Sequence, residues 1–141
     1  MKTKIKLIDK RAVIPTKAHE TDSGYDITII SLKKELDSGV KLYGTGISVS
    51  PEDGWYFDLV PRGSISKTGH MLANSVGVID HFYTGEILVP IIKINEDSPN
   101  ISLPSKLFQL IPRRYEDVSF IEVESLDETD RGEGRFGSTD K

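Results

Sequence analysis

The sequence predicts an all-β domain, because strand-forming residues come in short stretches separated by turn residues. Twelve glycines and seven prolines are spread along the 141 residues instead of being clustered. Between them lie short runs of apolar and β-branched residues, several of which alternate as half-buried strands do. The length fits one domain that can bury a core without disulfide or metal cross-links.

The composition narrows the class of protein. The chain has no cysteine, which excludes disulfides and thiolate metal sites and is typical of a reducing compartment. Its formal net charge of −4 argues against a general affinity for nucleic acid. The first residues lack the apolar run of a signal peptide, and no stretch is apolar enough to span a membrane. We therefore expect a soluble intracellular protein, cytoplasmic or nuclear, that binds neither nucleic acid nor membrane.

The first half of the chain contains three clear strand patterns. A strand is predicted at 4–8, where residues alternate, and residues 40–49 alternate in the same way. Strands are also predicted at 24–30, which begins with a glycine, and at 55–60, which is rich in strand-forming residues. Residues 32–39 are charged and are interpreted as a turn or a helical turn. The sequence Pro51-Glu52-Asp53-Gly54 is a strong turn signal, with Gly54 able to take positive φ.

The second half is predicted to begin with a β-hairpin. Residues 74–86 place β-branched residues on both sides of a polar centre, which indicates a hairpin with a wide turn. Residues 87–94 are predicted to form a buried strand in which Pro90 lies at an edge or a bulge. Further strands are predicted at 107–111 and 118–123. We expect a core of 1–124 followed by a flexible arm of 125–141, where no core-forming pattern survives.

The hairpin is the first candidate site. Gly77 and Gly85 allow a flat ligand to approach the main chain closely. Asp80 lies at the rim as a carboxylate available for base chemistry. The alternative is an ordinary hairpin with a polar turn, which the stretch taken alone favours.

The turn after residue 60 is the second candidate site. A short helical turn is predicted to begin at Gly63 or Ser64, where free N–H groups can point at an anion. Arg62 adds a bidentate donor suited to phosphate oxygens. The alternative is a surface turn with a solvated arginine. Ser64 has no evident histidine partner for nucleophilic catalysis.

Two features of the C-terminal part remain open between structural and functional interpretations. Gln109 lies inside an apolar strand, so it is either a structural cross-link or a ligand contact. The arm carries Arg131, Arg135 and Phe136 among glycines. Such an arm can close over an anionic aromatic ligand, or it can be a tail without a function. The three histidines have no metal-ligand spacing and are expected at the surface.

In their order along the chain, five motifs resemble those of the trimeric dUTP pyrophosphatase (dUTPase) family. They are Gly24-Tyr25-Asp26, Pro61-Arg62-Gly63-Ser64, the stretch 74–86, Gln109 in its strand, and the C-terminal arm. The resemblance implies a distorted jelly-roll or β-clip barrel of short strands with at most one short helix. It implies a homotrimer with active sites at subunit interfaces. It also implies magnesium-assisted hydrolysis of dUTP to dUMP and pyrophosphate, which limits uracil in DNA and supplies dUMP for thymidylate synthesis.

The resemblance also implies a role for each matching residue. At the nucleoside end, the main chain of Asn74, Gly77, Val78 and Ile79 reads uracil. There Tyr83 packs on the deoxyribose, and Asp80 holds the 3′-hydroxyl and activates the attacking water. At the phosphates the implied contacts are Arg62, Gly63, Ser64 and Gln109. From the arm come Arg131 as a phosphate clamp, Phe136 stacked on uracil, and Gly137 as a further substrate-binding residue. Ser138 and Thr139 add hydroxyl or backbone donors to the γ-phosphate. Asp26 supports the site, and Mg²⁺ is held by triphosphate and water without direct protein ligands.

The chain departs from the family pattern at several positions. Gly63 stands where the family usually has a serine thought to contact the oxygen between the α- and β-phosphates. Phe82 and Thr84, on either side of Tyr83, are residues that the family rarely has there. Arg135 stands where the family usually has a glycine, and Phe108 stands where it usually has an alanine. Two alternatives follow: a dCTP deaminase-type relative, and a dUTPase-like nucleotide-binding regulatory protein with weak activity.

Overall fold

The computed structural model describes residues 1–137 and confirms the all-β fold. Its strands are β1 (Thr3–Leu7), β2 (Tyr25–Ile29), β3 (Ser31–Glu35), β4 (Lys41–Gly44), β5 (Ile47–Pro51), β6 (Trp55–Pro61), β7 (His70–Leu72), β8 (Gly77–Ile79), β9 (Leu88–Lys93) and β10 (Ser105–Arg114). Within the described range the only helix is a short 3-10 helix, Gly63–Lys67, where the sequence predicts a helical turn. No helix in these residues is long and apolar enough to cross a membrane.

The strands form three antiparallel sheets. One pairs β1 with β5, the second has the order β2-β10-β6-β8, and the third has the order β3-β4-β9-β7. Most neighbours within a sheet are distant in sequence, so the chain crosses repeatedly between the two larger sheets. This interleaving is consistent with the jelly-roll type of barrel.

The core is built from the inward faces of the sheets. Phe108, at 0 % exposure, is the largest of the fully buried side chains. It lies with Ile27, Leu59 and Leu110 on the inner face of the β2-β10-β6-β8 sheet, opposite residues such as Val89 of the third sheet. Because side chains alternate along a strand, the residues between them point to the outer face of the same sheet. That outer face carries Asp26 of β2 and Gln109 of β10, together with Arg62, which directly follows β6.

The predicted hairpin at 74–86 is wrong. Its first arm, β8, pairs with β6, and the residues that follow lead into β9, which pairs with β4 and β7 in another sheet. Ile87 N donates to Ile47 O over 2.9 Å, which draws the second arm away from β8. The two apolar arms therefore bury themselves in different sheets instead of against each other.

Three local predictions also differ from the structure. Residues 32–39 contain β3 and a turn, and β3 forms a ladder with β4. Pro90 lies in a central strand, opposite Leu42, and its carbonyl accepts from Ala73 N over 2.9 Å. Because proline has no N–H to return that bond, the ladder with β7 ends at Leu72 opposite Ile91. Residues 118–123 form no strand, because their apolar side chains meet no partner strand within residues 1–137 and stay exposed.

Candidate functional site

Asp26, Arg62 and Gln109 form one polar cluster on the outer sheet face, called here the Arg62 cluster. Arg62 Nε lies 3.2 Å from Asp26 Oδ1, and Arg62 Nη1 donates to Lys106 O over 2.6 Å. Gln109 Nε2 donates to Pro61 O over 3.1 Å. These contacts fix the guanidinium, and its other N–H groups have no partner among residues 1–137, so they can bind an anion.

Strand register explains why these residues meet. Gln109 lies opposite Asp26 on β2 and opposite Val60 on β6, so the three side chains share a face. Arg62 follows Val60 by two residues and continues the same face. Gly24 makes room for the cluster, since a Cβ there would lie 1.9 Å from Gln109 Oε1. Gln109 is thus a structural cross-link to Pro61.

The 3-10 helix begins directly after Arg62 with no side-chain cap. Arg62 has extended geometry (φ −84°, ψ 160°), and no acidic residue lies in the first turn. Ile65 N donates to Arg62 O, while the N–H groups of Gly63 and Ser64 stand at the uncapped end. A Cβ at Gly63 would meet no atom within 4 Å. The space beside the start of the helix is therefore open within the described part of the chain.

Asp80 follows β8 in a tight turn, which we call the Asp80 turn (residues 80–83). Tyr83 N donates to Asp80 O over 3.0 Å, as in a β-turn. The Asp80 carboxylate is exposed. It is therefore free to accept a hydrogen bond from a ligand or a water molecule.

Tyr83 is held by contacts that follow it in the chain. Its hydroxyl donates to Glu86 O over 2.7 Å, and its ring lies so close to Gly85 that a Cβ there would be 2.7 Å from the hydroxyl. The Glu86 carboxylate accepts from Gly46 N over 3.1 Å and lies 3.5 Å from Lys33 Nζ. Gly85 thus makes room for the Tyr83 ring, and Gly77 similarly packs against Leu59.

A cleft of ≈ 550 Å³ lies beside the Asp80 turn. It is lined by Tyr56, Val78, Asp80, His81, Phe82 and Tyr115. Sequence reasoning missed Tyr56 and Tyr115, because only the register of β6 against β8 and β10 brings them near Asp80. It also placed every histidine at the surface, whereas His70 is buried and the His81 side chain retains 12 % exposure.

The Asp80 turn and the Arg62 cluster lie at opposite ends of the same outer face. Phe57 pairs with Ile79, so the same register places Asp80 opposite Tyr56. Tyr56 lies six residues before Arg62 in the chain. Six residues of extended chain span about 20 Å. Asn74 lies near the other end of β8, closer to Arg62 than Asp80 is. One chain alone therefore does not bring Asp80 and Arg62 together.

The arm makes few contacts. Arg131 Nε donates to Gly134 O over 2.9 Å, a contact within the arm itself. Phe136 is 98 % exposed, and both Phe136 (φ 49°) and Gly137 (φ 82°) have left-handed backbone. Ser138 and Thr139 lie outside the described residues. Exposure is nearly continuous from Arg113 onward, so the boundary at 124 stays a prediction.

Comparison with known proteins identifies the family. The dUTPase family model matches residues 10–140. The deoxyuridine 5′-triphosphate nucleotidohydrolase of Finegoldia magna is 40% identical over 115 residues, covering 81% of this chain and 76% of that protein.

Solved structures show the same fold. A variant of the Staphylococcus bacteriophage 80alpha dUTPase with dUpNHpp has a TM-score of 0.77 at 21% identity, covering 98% of each chain. A variant of the phage phi11 dUTPase of S. aureus, described with a structural Mg(II) ion, has a TM-score of 0.69 at 19% identity, covering 89% of this chain and 98% of that one. With its motifs on the outer face of an all-β fold and a family model that spans almost its whole length, the chain belongs to the dUTPase family.

Proposed function

We propose that the protein hydrolyses dUTP to dUMP and pyrophosphate, limiting uracil in DNA and supplying dUMP for thymidylate synthesis. The observation that carries the proposal is the outer sheet face, which presents an exposed carboxylate, Asp80, and a preorganised cation, Arg62. Because the chain belongs to the dUTPase family, we infer that these two groups act together in the hydrolysis of dUTP. The substrate is a DNA precursor, so we place the reaction inside the cell.

The main chain of β8 is suited to recognise uracil. β8 is the last strand of its sheet, so within residues 1–137 one edge of Gly77, Val78 and Ile79 pairs with β6 and the other is unpaired. An unpaired edge presents alternating N–H and C=O groups, which can bond to the uracil edge as a neighbouring strand would. Cytosine has the opposite donor and acceptor pattern and would leave these groups unpaired. The main chain of Asn74, which lies before β8, is assigned to the same uracil contact.

The sugar and the attacking water are assigned to the Asp80 turn. Tyr83, fixed by Glu86 O and Gly85, packs on the deoxyribose and excludes a ribose 2′-hydroxyl. Asp80 holds the 3′-hydroxyl and takes a proton from the water that attacks the α-phosphorus. Its exposure in the single chain leaves the carboxylate available for both contacts.

The phosphates are assigned to the Arg62 cluster and the arm. Asp26 and Lys106 O hold the guanidinium so that its free N–H groups face the phosphates, with Ser64 and the N–H of Gly63 beside it. These donors stabilise the charge that develops on the leaving pyrophosphate. Gln109 retains an oxygen and one N–H for a phosphate or a water. From the arm, Arg131 clamps the phosphates, Phe136 stacks on uracil with Gly137 beside it, and Ser138 and Thr139 donate to the γ-phosphate.

We infer that Mg²⁺ binds through the substrate. Its preferred ligands are phosphate and water oxygens, which dUTP and solvent supply. The donor set fits this arrangement, because Asp26 is already paired with Arg62 and the cluster otherwise presents N–H groups. The ion would neutralise the triphosphate, while the chain's own residues orient it and activate water.

The active site is proposed to form between copies of the chain in a homotrimer. A general base must lie within hydrogen-bond reach of its substrate, directly or through one water. In the proposed site Asp80 and Arg62 act on the same triphosphate. Within one chain they are about 20 Å apart, which is too far for Asp80 to reach a substrate held by Arg62. A second copy that presents its own Arg62 cluster to Asp80 removes the difficulty.

Exposed apolar residues support this assembly. Phe120 is 95% exposed and Ile121 is 82% exposed, in a segment that also carries Glu122 and Glu124. Apolar exposure of this kind marks interaction surfaces. We expect a trimer in sedimentation velocity and weaker assembly after Phe120→Asp, with Glu122→Gln as a control that leaves the apolar surface intact. A monomeric wild-type protein would contradict the interface assignment.

The experiment for the reaction is pyrophosphate release from dUTP, dCTP, dTTP and UTP in the presence of Mg²⁺, with Asp80→Asn as control. We expect release from dUTP alone among these four at low substrate concentration. Conversion of dCTP to dUTP would instead support a deaminase-type relative. Tight binding of dUTP without release above the Asp80→Asn control would support a regulatory protein, the alternative that Gly63 favours.

A further inference from the structure

The His81 side chain ties the Asp80 turn to the start of β6. His81 and Phe82 are the central residues of this β-turn, closed by the bond from Tyr83 N to Asp80 O. The ring places Nδ1 3.0 Å from Trp55 O and Nε2 3.3 Å from Asp53 Oδ1. With 12% of the side chain exposed, the ring is packed against the fold instead of standing in solvent.

This contact begins where the backbone ladder ends. β8 pairs with β6 as far as Ile79 opposite Phe57. Continued by two residues, that register sets His81 opposite Trp55, where the described ladder has no backbone pair. The imidazole therefore supplies the bond between the strands at the point where the main chain stops supplying it. Within residues 1–137, Ile79 opposite Phe57 is the last backbone pair between β8 and β6, and the His81 bond to Trp55 O is the next bond that ties the Asp80 turn to β6.

We propose that His81 is a positioning residue for Asp80, acting through its hydrogen bond to Trp55 O. The inference rests on the proposed function, in which Asp80 is the general base. A base must be held within hydrogen-bond reach of the proton it removes, and a displacement of about 1 Å can cost about a hundredfold in rate. Because His81 directly follows Asp80, movement of its ring moves the carboxylate.

The geometry also determines which ring nitrogen carries the proton. Trp55 O is a carbonyl and only accepts, so Nδ1 must be protonated for the bond to form. In the neutral ring Nε2 then has a lone pair facing the Asp53 carboxylate, and the pair is attractive only when the ring is charged. Asp53 is fully exposed, which makes this ion pair weak. The bond to Trp55 O is therefore the contact that positions the turn.

Matched variants separate the two contacts. In His81→Asn the amide nitrogen takes the position of Nδ1 and keeps the bond to Trp55 O, whereas in His81→Gln it takes the position of Nε2 and reaches only Asp53. For dUTP hydrolysis we expect kcat to fall about tenfold or more in His81→Gln and His81→Ala, with a smaller rise in KM. His81→Asn should restore most of the loss. Asp53→Asn should leave kcat close to that of the wild-type protein, because an exposed ion pair contributes little.

A spectroscopic measurement tests the contact without any turnover. Long-range ¹H–¹⁵N correlation spectra of the wild-type imidazole should show the Nδ1–H tautomer of His81 when the ring is neutral. An Nε2–H tautomer, or equal kcat values for the Ala and Asn variants, would overturn the positioning role. Absence of dUTP hydrolysis by the wild-type protein would instead remove the proposed function, and the two failures are thereby distinguished.

Discussion

Replacement of Gly63 by Ser restores the residue that the family pattern usually has after the arginine. The structure indicates that the fold accepts this change, since a Cβ at Gly63 meets no atom within 4 Å and its φ lies outside the left-handed region. Reduced freedom of the unfolded chain should stabilise both Gly63→Ser and Gly63→Ala by about 0.4–1 kcal/mol. The two variants therefore differ in activity only through the hydroxyl.

The expected gain in rate follows from the charge of the partner. A hydrogen bond from a hydroxyl to a charged phosphate oxygen contributes about 1.5–3 kcal/mol. Because about 1.4 kcal/mol corresponds to tenfold in rate, kcat should rise about tenfold to a hundredfold in Gly63→Ser if the bond forms in the transition state. The residue stands at the uncapped start of the 3-10 helix beside Arg62, where the leaving pyrophosphate is proposed to bind.

The assay is pyrophosphate release from dUTP under single-turnover conditions, so that product release does not limit the rate. Gly63→Ala is the matched control, and thermal unfolding of both variants checks that the turn is intact. Equal rates for the Ser and Ala variants would refute the reasoning and show that Ser64 or backbone N–H groups already supply the contact. A lower melting temperature for Gly63→Ala would show that the space at Gly63 is not free.

Three further predictions test other parts of the site. Asp80→Asn should lower kcat by about a hundredfold or more while the Kd for dUTP changes little; parallel losses in both would argue against a base. Deletion of residues 131–141 should strongly lower kcat and change the melting temperature by less than about 2 °C, because among the described residues Arg131 contacts only the arm itself. An unchanged kcat would show that the arm takes no part in catalysis. Gly24→Ala should destabilise the fold by about 1–3 kcal/mol in urea unfolding, since its Cβ must displace Gln109 from Pro61 O; unaltered stability would show that the amide moves at no cost.

Residues with a strong local pattern were predictable from the sequence. β1 lies where residues 4–8 alternate, β6 lies in a run of strand-forming residues, and Gly54 takes the positive φ (87°) that its turn signal predicts. The start of the 3-10 helix at Gly63 was predictable for the same reason. The residues of the Arg62 cluster were identified by the order of the motifs.

Other features depend on contacts between distant residues. The predicted hairpin at 74–86 failed because β8 finds its partner in β6, about twenty residues earlier in the chain. The strand predicted at 118–123 has the right composition, but a strand also needs a partner strand, which residues 1–137 do not supply. His81 gave no signal, since its contacts with Trp55 and Asp53 exist only after β6 and β8 have paired.

The sequence by itself determined the all-β class, the identity of the chemical groups and the family to which they point. Tertiary structure alone decided where those groups lie. Alternation is a local property that can be read from neighbouring residues, whereas register and sheet order arise from burying one shared core. That packing places Asp80 and Arg62 at opposite ends of one outer face, about 20 Å apart, which is the reason for proposing that a second copy of the chain completes the site.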